Sequence, residues 1–158
     1  MRLRELRISY QPVAGASPGP RPRLTSPSAA VRQIAPLLEP EAVEVFGALL
    51  LNTKHEPICW HVVSRGCLDA TLVHPREVIK AACLANAAAL VVAHNHPSGD
   101  PEPSREDVVL TLRLRQALEL VGIELLDSLV IGDGGRYVSL QERGRSDESG
   151  YLRSGVNT

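Results

Sequence analysis

The sequence predicts a single mixed α/β domain, of α+β or three-layer α/β type. Three observations predict it. The chain is 158 residues long, a length that suits one domain with one real core. Apolar runs at residues 45–51 and 90–93 have the length and composition of buried strands. Between the apolar runs lie stretches with apolar residues at helical spacing, and strands and helices alternate without a regular strand–helix–strand rhythm.

Each element follows in order. Residues 3–10 alternate as an irregular strand. Residues 11–27 hold five prolines with Gly15 and Gly19, a linker with no core of its own. Ser26-Pro27 supplies an N-cap and a proline at the first helical position. Ala30, Val31, Ile34, Leu37 and Leu38 form the apolar face of that helix, and Pro40 stops it. Residues 45–51 read as a central strand, 52–56 as a polar turn, and 57–64 as the returning strand of a hairpin. Arg65-Gly66 breaks it, and 67–73 could continue the sheet. His74-Pro75 opens a second helix, with Val78, Ile79, Ala82, Ala85 and Ala89 at helical spacing. The strand at 90–93 delivers the chain to His94, and a Gly/Pro-rich loop covers 97–103. A third helix follows Ser104, with Leu110, Leu114, Leu118 and Val121 on one face and Gly122 at its end. Residues 125–131 and 136–140 form a terminal hairpin around Gly132-Asp133-Gly134-Gly135. The polar stretch 141–158 is expected to fray. The chain thus divides into an arm (1–25), one domain (26–143) and a polar tail (144–158).

Composition narrows the function. Lys and Arg number 17 against 18 Asp and Glu, a net charge of -1. A nucleic-acid-coating protein would carry a basic surplus or stripe. The aromatic residues Tyr10, Phe46, Trp60, Tyr137 and Tyr151 are too few for a base-stacking platform. Residues 1–25 hold five Arg and one Glu, a net +4. That arm could touch an acidic partner but reads first as a solvated tail. Cys59, Cys67 and Cys83 are odd in number and form no C-x-x-C, which argues for buried filler rather than a disulfide framework or a Cys-based zinc knuckle. No apolar run approaches the ~20 residues that span a bilayer. No signal-type segment follows the N-terminal arginines. A cytoplasmic protein without membrane contact is expected.

The chemistry concentrates in His94-Asn95-His96-Pro97-Ser98-Gly99-Asp100-Pro101-Glu102-Pro103-Ser104-Arg105-Glu106-Asp107. Extended residues two apart point the same way, so His94 and His96 can converge on one ion. Three prolines and a glycine separate His96 from Asp107 and can fold the loop back stiffly. Two imidazoles and a carboxylate suit Zn²⁺, with a fourth position left for water. A plainer reading stands beside it. Ser104-x-x-Asp107 also has the form of a helix-capping pair, and the histidines could simply bond to loop backbone.

His94-x-His96, seven residues, Ser104, two residues, Asp107 resembles the JAMM (MPN+) metalloprotease signature in every spacing. His94 to Pro101 resembles the RadC-like branch of that superfamily. Further similarity runs from Pro75-Arg76-Glu77 to Leu126-Asp127. The resemblance implies a cytidine-deaminase-like JAB/MPN fold, a curved mixed sheet flanked by helices. It implies one zinc per chain on His94, His96 and Asp107, with Glu44 as general acid/base and Ser104 as an oxyanion-type donor. Asn95 and Ser98 would order the histidine loop, with Asp100 left to loop solvation. His55, His61 and His74 have no ligand-like spacing. RadC-like chains usually carry Asp-His where this one has Asp127-Ser128, outside the implied zinc ligands. Residues 1–25 are too short and Pro-rich for the helix-hairpin-helix region of larger RadC-like proteins.

The leading expectation is therefore a zinc hydrolase acting on a peptide, an isopeptide or another amide. The alternative is a DNA-repair or mobile-element accessory that binds nucleic acid, its metal structural or vestigial. Pairing of chains through an exposed edge at residues 3–10 would make a homo-oligomer.

Overall fold

The structure, a computed structural model, describes residues 5–13, 19–66 and 73–144. The chain runs α1 (Pro27–Leu38), β1 (Val45–Leu51), β2 (Pro57–Arg65), α2 (Pro75–Leu84), β3 (Ala89–Asn95), α3 (Arg105–Glu119), β4 (Glu124–Ile131), a 3-10 turn (Asp133–Gly135) and β5 (Tyr137–Ser139). The five strands form one sheet in the order β2-β1-β3-β4-β5. The β3–β4 pair is parallel and the other three pairs are antiparallel. The parallel pair needs a crossover, and α3 supplies it.

Side-chain alternation along β1 and β3 splits the core into two layers. Val45, Leu49, Leu51, Val91 and Ala93 pack on one face against Ala30, Ile34 and Leu38 of α1. Phe46, Ala48, Leu50, Leu90 and Val92 pack on the other against Val78 and Ala82 of α2 and Leu110, Leu114 and Leu118 of α3. The fold is thus the three-layer member of the expected class, a mixed sheet between helices.

Local chemistry explains the boundaries. Ser26 Oγ accepts from the Ala29 amide at 3.2 Å, with Pro27 in the first turn of α1. Asn52 Oδ1 accepts from the amides of Lys54 and Glu56 at 2.9 and 3.0 Å and closes the β1–β2 hairpin. Gly47 stands in β1 where the Trp60 indole crosses it. A Cβ there would lie 2.3 Å from a ring carbon.

Several expectations are corrected. Residues 5–10 join no strand and are exposed, and residues 1–4 lie outside the described residues. Alternation supplies the side-chain pattern of a strand, but a strand also needs a neighbour for its backbone groups. The sheet ends at β2 instead, so edge pairing through a strand at 3–10 has no basis in residues 5–10. The second helix stops at Leu84, and Ala89 opens β3 rather than closing that helix. Asn86 takes a positive φ of 52°, a conformation asparagine tolerates and a helix does not continue through. The third strand extends through Asn95, which puts His94 on the strand itself. Residues 140–144 are helical rather than frayed, and the rest of the tail lies outside the described residues, as does 67–72. Cys83 is exposed and Cys59 half-buried, so neither is deep core filler. Burial pushes the Cys59 thiol pKa up.

Candidate metal centre

The site stands where β3 leaves the sheet. His94 is 1% exposed, on the sheet face that carries Phe46, whose ring stacks near it at 6.2 Å between centroids. His96 lies just past the strand, and its amide donates to the Ile131 carbonyl at 3.0 Å, keeping it beside β4. The two Nε2 atoms are 3.0 Å apart.

The loop selects the tautomer of His96. Its Nδ1 lies 2.8 Å from the Asp100 backbone carbonyl. A carbonyl can only accept, so Nδ1 carries the proton and Nε2 presents a lone pair. A metal-binding imidazole has this arrangement. His94 Nδ1 is buried and has no hydrogen-bond partner among the described residues.

Asp107 enters from the first turn of α3. Its amide donates to Ser104 Oγ at 3.1 Å, and the Ser104 amide donates to Asp107 Oδ2 at 2.7 Å. This is a complete capping box. The box leaves Asp107 Oδ1 3.3 Å from His94 Nε2, with Oδ2 3.6 Å from His96 Nε2. Burial by itself would raise the Asp107 pKa. The His94 hydrogen bond and charge, with the Ser104 bonds, outweigh it and hold the carboxyl well below the usual carboxylate range. The capping box and the approach of Asp107 to both histidines therefore coexist in one arrangement.

Glu44 stands one residue ahead of β1. Its carbonyl accepts from the Gly66 amide at 2.8 Å. Its Oε1 is 3.9 Å from His96 Nε2, and its side chain is 24% exposed. Of the neighbouring acids, Glu41 is paired with Arg65. Glu39, Glu41, Asn95 and His96 help line a groove of ≈ 360 Å³ beside the site.

Glu44, His94 and His96 offer donor atoms that all lie within 4.8 Å of one another, a group that could hold a metal ion. Asp107 approaches the same two imidazoles more closely than Glu44 approaches His96. Donor atoms around a tetrahedral ion bound at ~2.0–2.1 Å are about 3.3 Å apart. The two Nε2 atoms, 3.0 Å apart, are near that spacing, and Asp107 reaches them through different oxygens, Oδ1 at 3.3 Å from His94 and Oδ2 at 3.6 Å from His96. The residues present fit such an ion.

The remaining candidates divide. Ser98 Oγ accepts from the Asp100 amide at 3.4 Å, within the histidine loop. Asn95 does not bond to that loop. Its side chain bonds to the backbone of residues 43 and 45. His55 lies in the hairpin turn, His61 on β2, and His74 at the N-cap of α2. Sequence reasoning left Asp100 to solvation and so missed its carbonyl as the partner of His96. A backbone carbonyl has no residue-type signature, so no sequence signal could have found it.

Residues 24–145 match the family model of the RadC-like JAB domain. The chain is 50% identical over 131 residues to a UPF0758 protein of Symbiobacterium thermophilum, covering 83% of this chain and 56% of that relative. It is 53% identical over 121 residues to a UPF0758 protein of Xanthomonas campestris, covering 77% and 53%. With a UPF0758 protein of Methanosarcina mazei it shares 44% identity over 125 residues, covering 79% and 54%. The chain spans about half the length of the curated relatives it matches. No helix among the described residues is long and apolar enough to cross a membrane.

Proposed function

The chain belongs to the RadC-like JAB domain family, and from that premise we propose that it is a zinc-dependent hydrolase of peptide or isopeptide bonds. The observation that carries this reading is the convergence of two imidazole Nε2 atoms 3.0 Å apart with the buried Asp107 carboxylate. In this reading His94, His96 and Asp107 hold the ion. The chemistry a zinc ion supplies is acidification of water to a pKa near ~7 and polarisation of a carbonyl.

The protein's own groups do the rest. The Asp100 carbonyl keeps the His96 proton on Nδ1, away from the shared centre. The capping box aims Asp107 at both histidines. Glu44 is the more exposed and more distant carboxylate, free to take a proton from water at Oε1 and hand it to the departing amine. Ser104 Oγ accepts from the Asp107 amide. Its own hydroxyl proton can therefore still be donated to a carbonyl oxygen as negative charge develops.

Elemental analysis of the purified protein tests the metal. One zinc per chain is expected, and little in His96→Ala; equal zinc content in both would sink the site. Glu44→Gln should keep its zinc and lose cleavage of fluorogenic peptide and isopeptide libraries that the unaltered chain cleaves. Unchanged cleavage would remove Glu44 from the mechanism. The nucleic-acid alternative predicts duplex or forked DNA binding that weakens steeply with salt.

A further inference from the structure

We propose that Asn95 is a positioning residue for Glu44: its side-chain amide stands in for a paired backbone at residues 43 and 45, and so fixes where the Glu44 carboxylate stands. The inference rests on the hydrolase reading above and concerns the regulation of proton transfer at that same site.

The register of the sheet shows why such a device is needed. The backbone pairing of β1 with β3 ends at Phe46↔His94. On its other edge β3 stays paired with β4 through Asn95↔Ile131, and the His96 amide extends that side by donating to the Ile131 carbonyl. Residues 43–45 lie beyond the ladder on the β3 side, just where Glu44 must be held. Asn95 restores it. The Val45 amide donates to Asn95 Oδ1 at 2.8 Å, and Asn95 Nδ2 donates to the Val43 carbonyl at 3.0 Å. These are the two backbone groups that flank Glu44. On the opposite side the Gly66 amide donates to the Glu44 carbonyl at 2.8 Å. The backbone around Glu44 is thus gripped from both neighbouring strands.

The residue type follows from this geometry. One donor and one acceptor must lie side by side on a short stem, and a carboxamide offers both. An aspartate offers acceptors alone, and a hydroxyl is too short to reach two backbone groups. Asn95 is 6% exposed, so its bonds are made out of water, where leaving one unmade is costly. Alternation adds the last part of the argument. His94 shares a layer with Phe46, whereas Asn95 lines the groove with Leu38 and Ala42 on the α1 side. One strand end therefore presents the two imidazoles and clamps the backbone that carries Glu44.

Loss of the clamp should free Glu44 and spare the ligands. His94 and His96 are held by β3–β4 pairing, and Asp107 by its capping box. The test is NMR of the full chain with ¹³C-carboxyl glutamate, titrated with zinc. The Glu44 resonance is assigned from Glu44→Gln, and the His94 and His96 ring signals are followed in parallel. In the unaltered chain zinc should move all three. In Asn95→Ala the histidine signals should still move while most of the Glu44 shift is lost. Asn95→Asp keeps the acceptor for Val45, drops the donor for Val43, and serves if the alanine variant does not fold. A Glu44 shift that survives in both variants overturns the proposal. So does a variant in which the histidines also stop responding, because Asn95 would then support the whole site. A Glu44 resonance unmoved in the unaltered chain, with the histidines moving, overturns it as well. Failure of all signals to respond in the unaltered chain would instead refute the metal site itself, and the proposal with it.

Discussion

Ser104→Ala removes one bond of the box that starts α3 and leaves the other. The Asp107 amide loses its acceptor at 3.1 Å, while the Ser104 amide, a backbone group, keeps Asp107 Oδ2 at 2.7 Å. Loss of an N-cap hydroxyl costs roughly 0.5–2 kcal/mol. Alanine can neither accept from that amide nor, with its Cβ in place, give water the access that glycine allows, so the cost belongs in the upper part, about 1–2 kcal/mol. At about 2–4 °C per kcal/mol for a chain of this size, Tm should fall by several degrees. Glycine separates the cap from the chemistry. As an N-cap it costs only ~0.3 kcal/mol relative to serine, yet it has no hydroxyl. Ser104→Gly should therefore be nearly as stable as the unaltered chain and as poor in hydrolysis as Ser104→Ala. Urea titration, zinc content and peptide cleavage on all three proteins decide it. An alanine variant within ~0.3 kcal/mol of the unaltered chain would refute the box as the start of α3. A glycine variant with full activity would refute the hydroxyl's part in the reaction.

Two further predictions concern the loop after His96 and the buried carboxylate of β4. Gly99 has a φ of 81°, and a Cβ there would lie 2.2 Å from Asp133 Oδ2; Gly99→Ala should cost about 1–3 kcal/mol from left-handed strain and crowding. Adding Asp133→Ala should recover only part of this, because the strained φ persists, and urea titrations that show no loss in the single variant would refute the argument. Burial raises the Asp127 pKa, despite bonds from Ser139, Gln141 and Ser128, with Glu142 adding to the rise. A raised folded-state pKa favours folding fully below the unfolded value of about 3.9, and that advantage is lost as pH climbs through the folded value. Asp127→Asn cannot ionise, so its stability relative to the unaltered chain should improve as pH rises from about 4. A difference that stays constant with pH would refute this.

Much of the site was legible because its signals are local. Ser26-Pro27 and Ser104-x-x-Asp107 cap helices through bonds within their own turns. His94 and His96 converge because an extended chain repeats every two residues. The runs at 45–51 and 90–93 are strands because few other uses exist for so much apolar surface in so short a length. The expected strand at 3–10 failed for the complementary reason. Its alternation is also local, but residues 5–10 pair with no neighbouring strand and the sheet ends at β2.

What the sequence determined by itself was the set of chemically capable residues and the local turns that present most of them. Tertiary structure alone decided how they are held. The Asp100 carbonyl sets the His96 tautomer through an atom every residue possesses. The capping box, formed within four residues, comes to rest beside His94 only because α3 packs against the sheet. Asn95 reaches residues 43 and 45, some fifty positions earlier in the chain. That reach depends on where the β1–β3 ladder stops. Where the ladder stops depends on where β1 and β3 part in the assembled sheet, after Phe46↔His94, and no local propensity encodes that point.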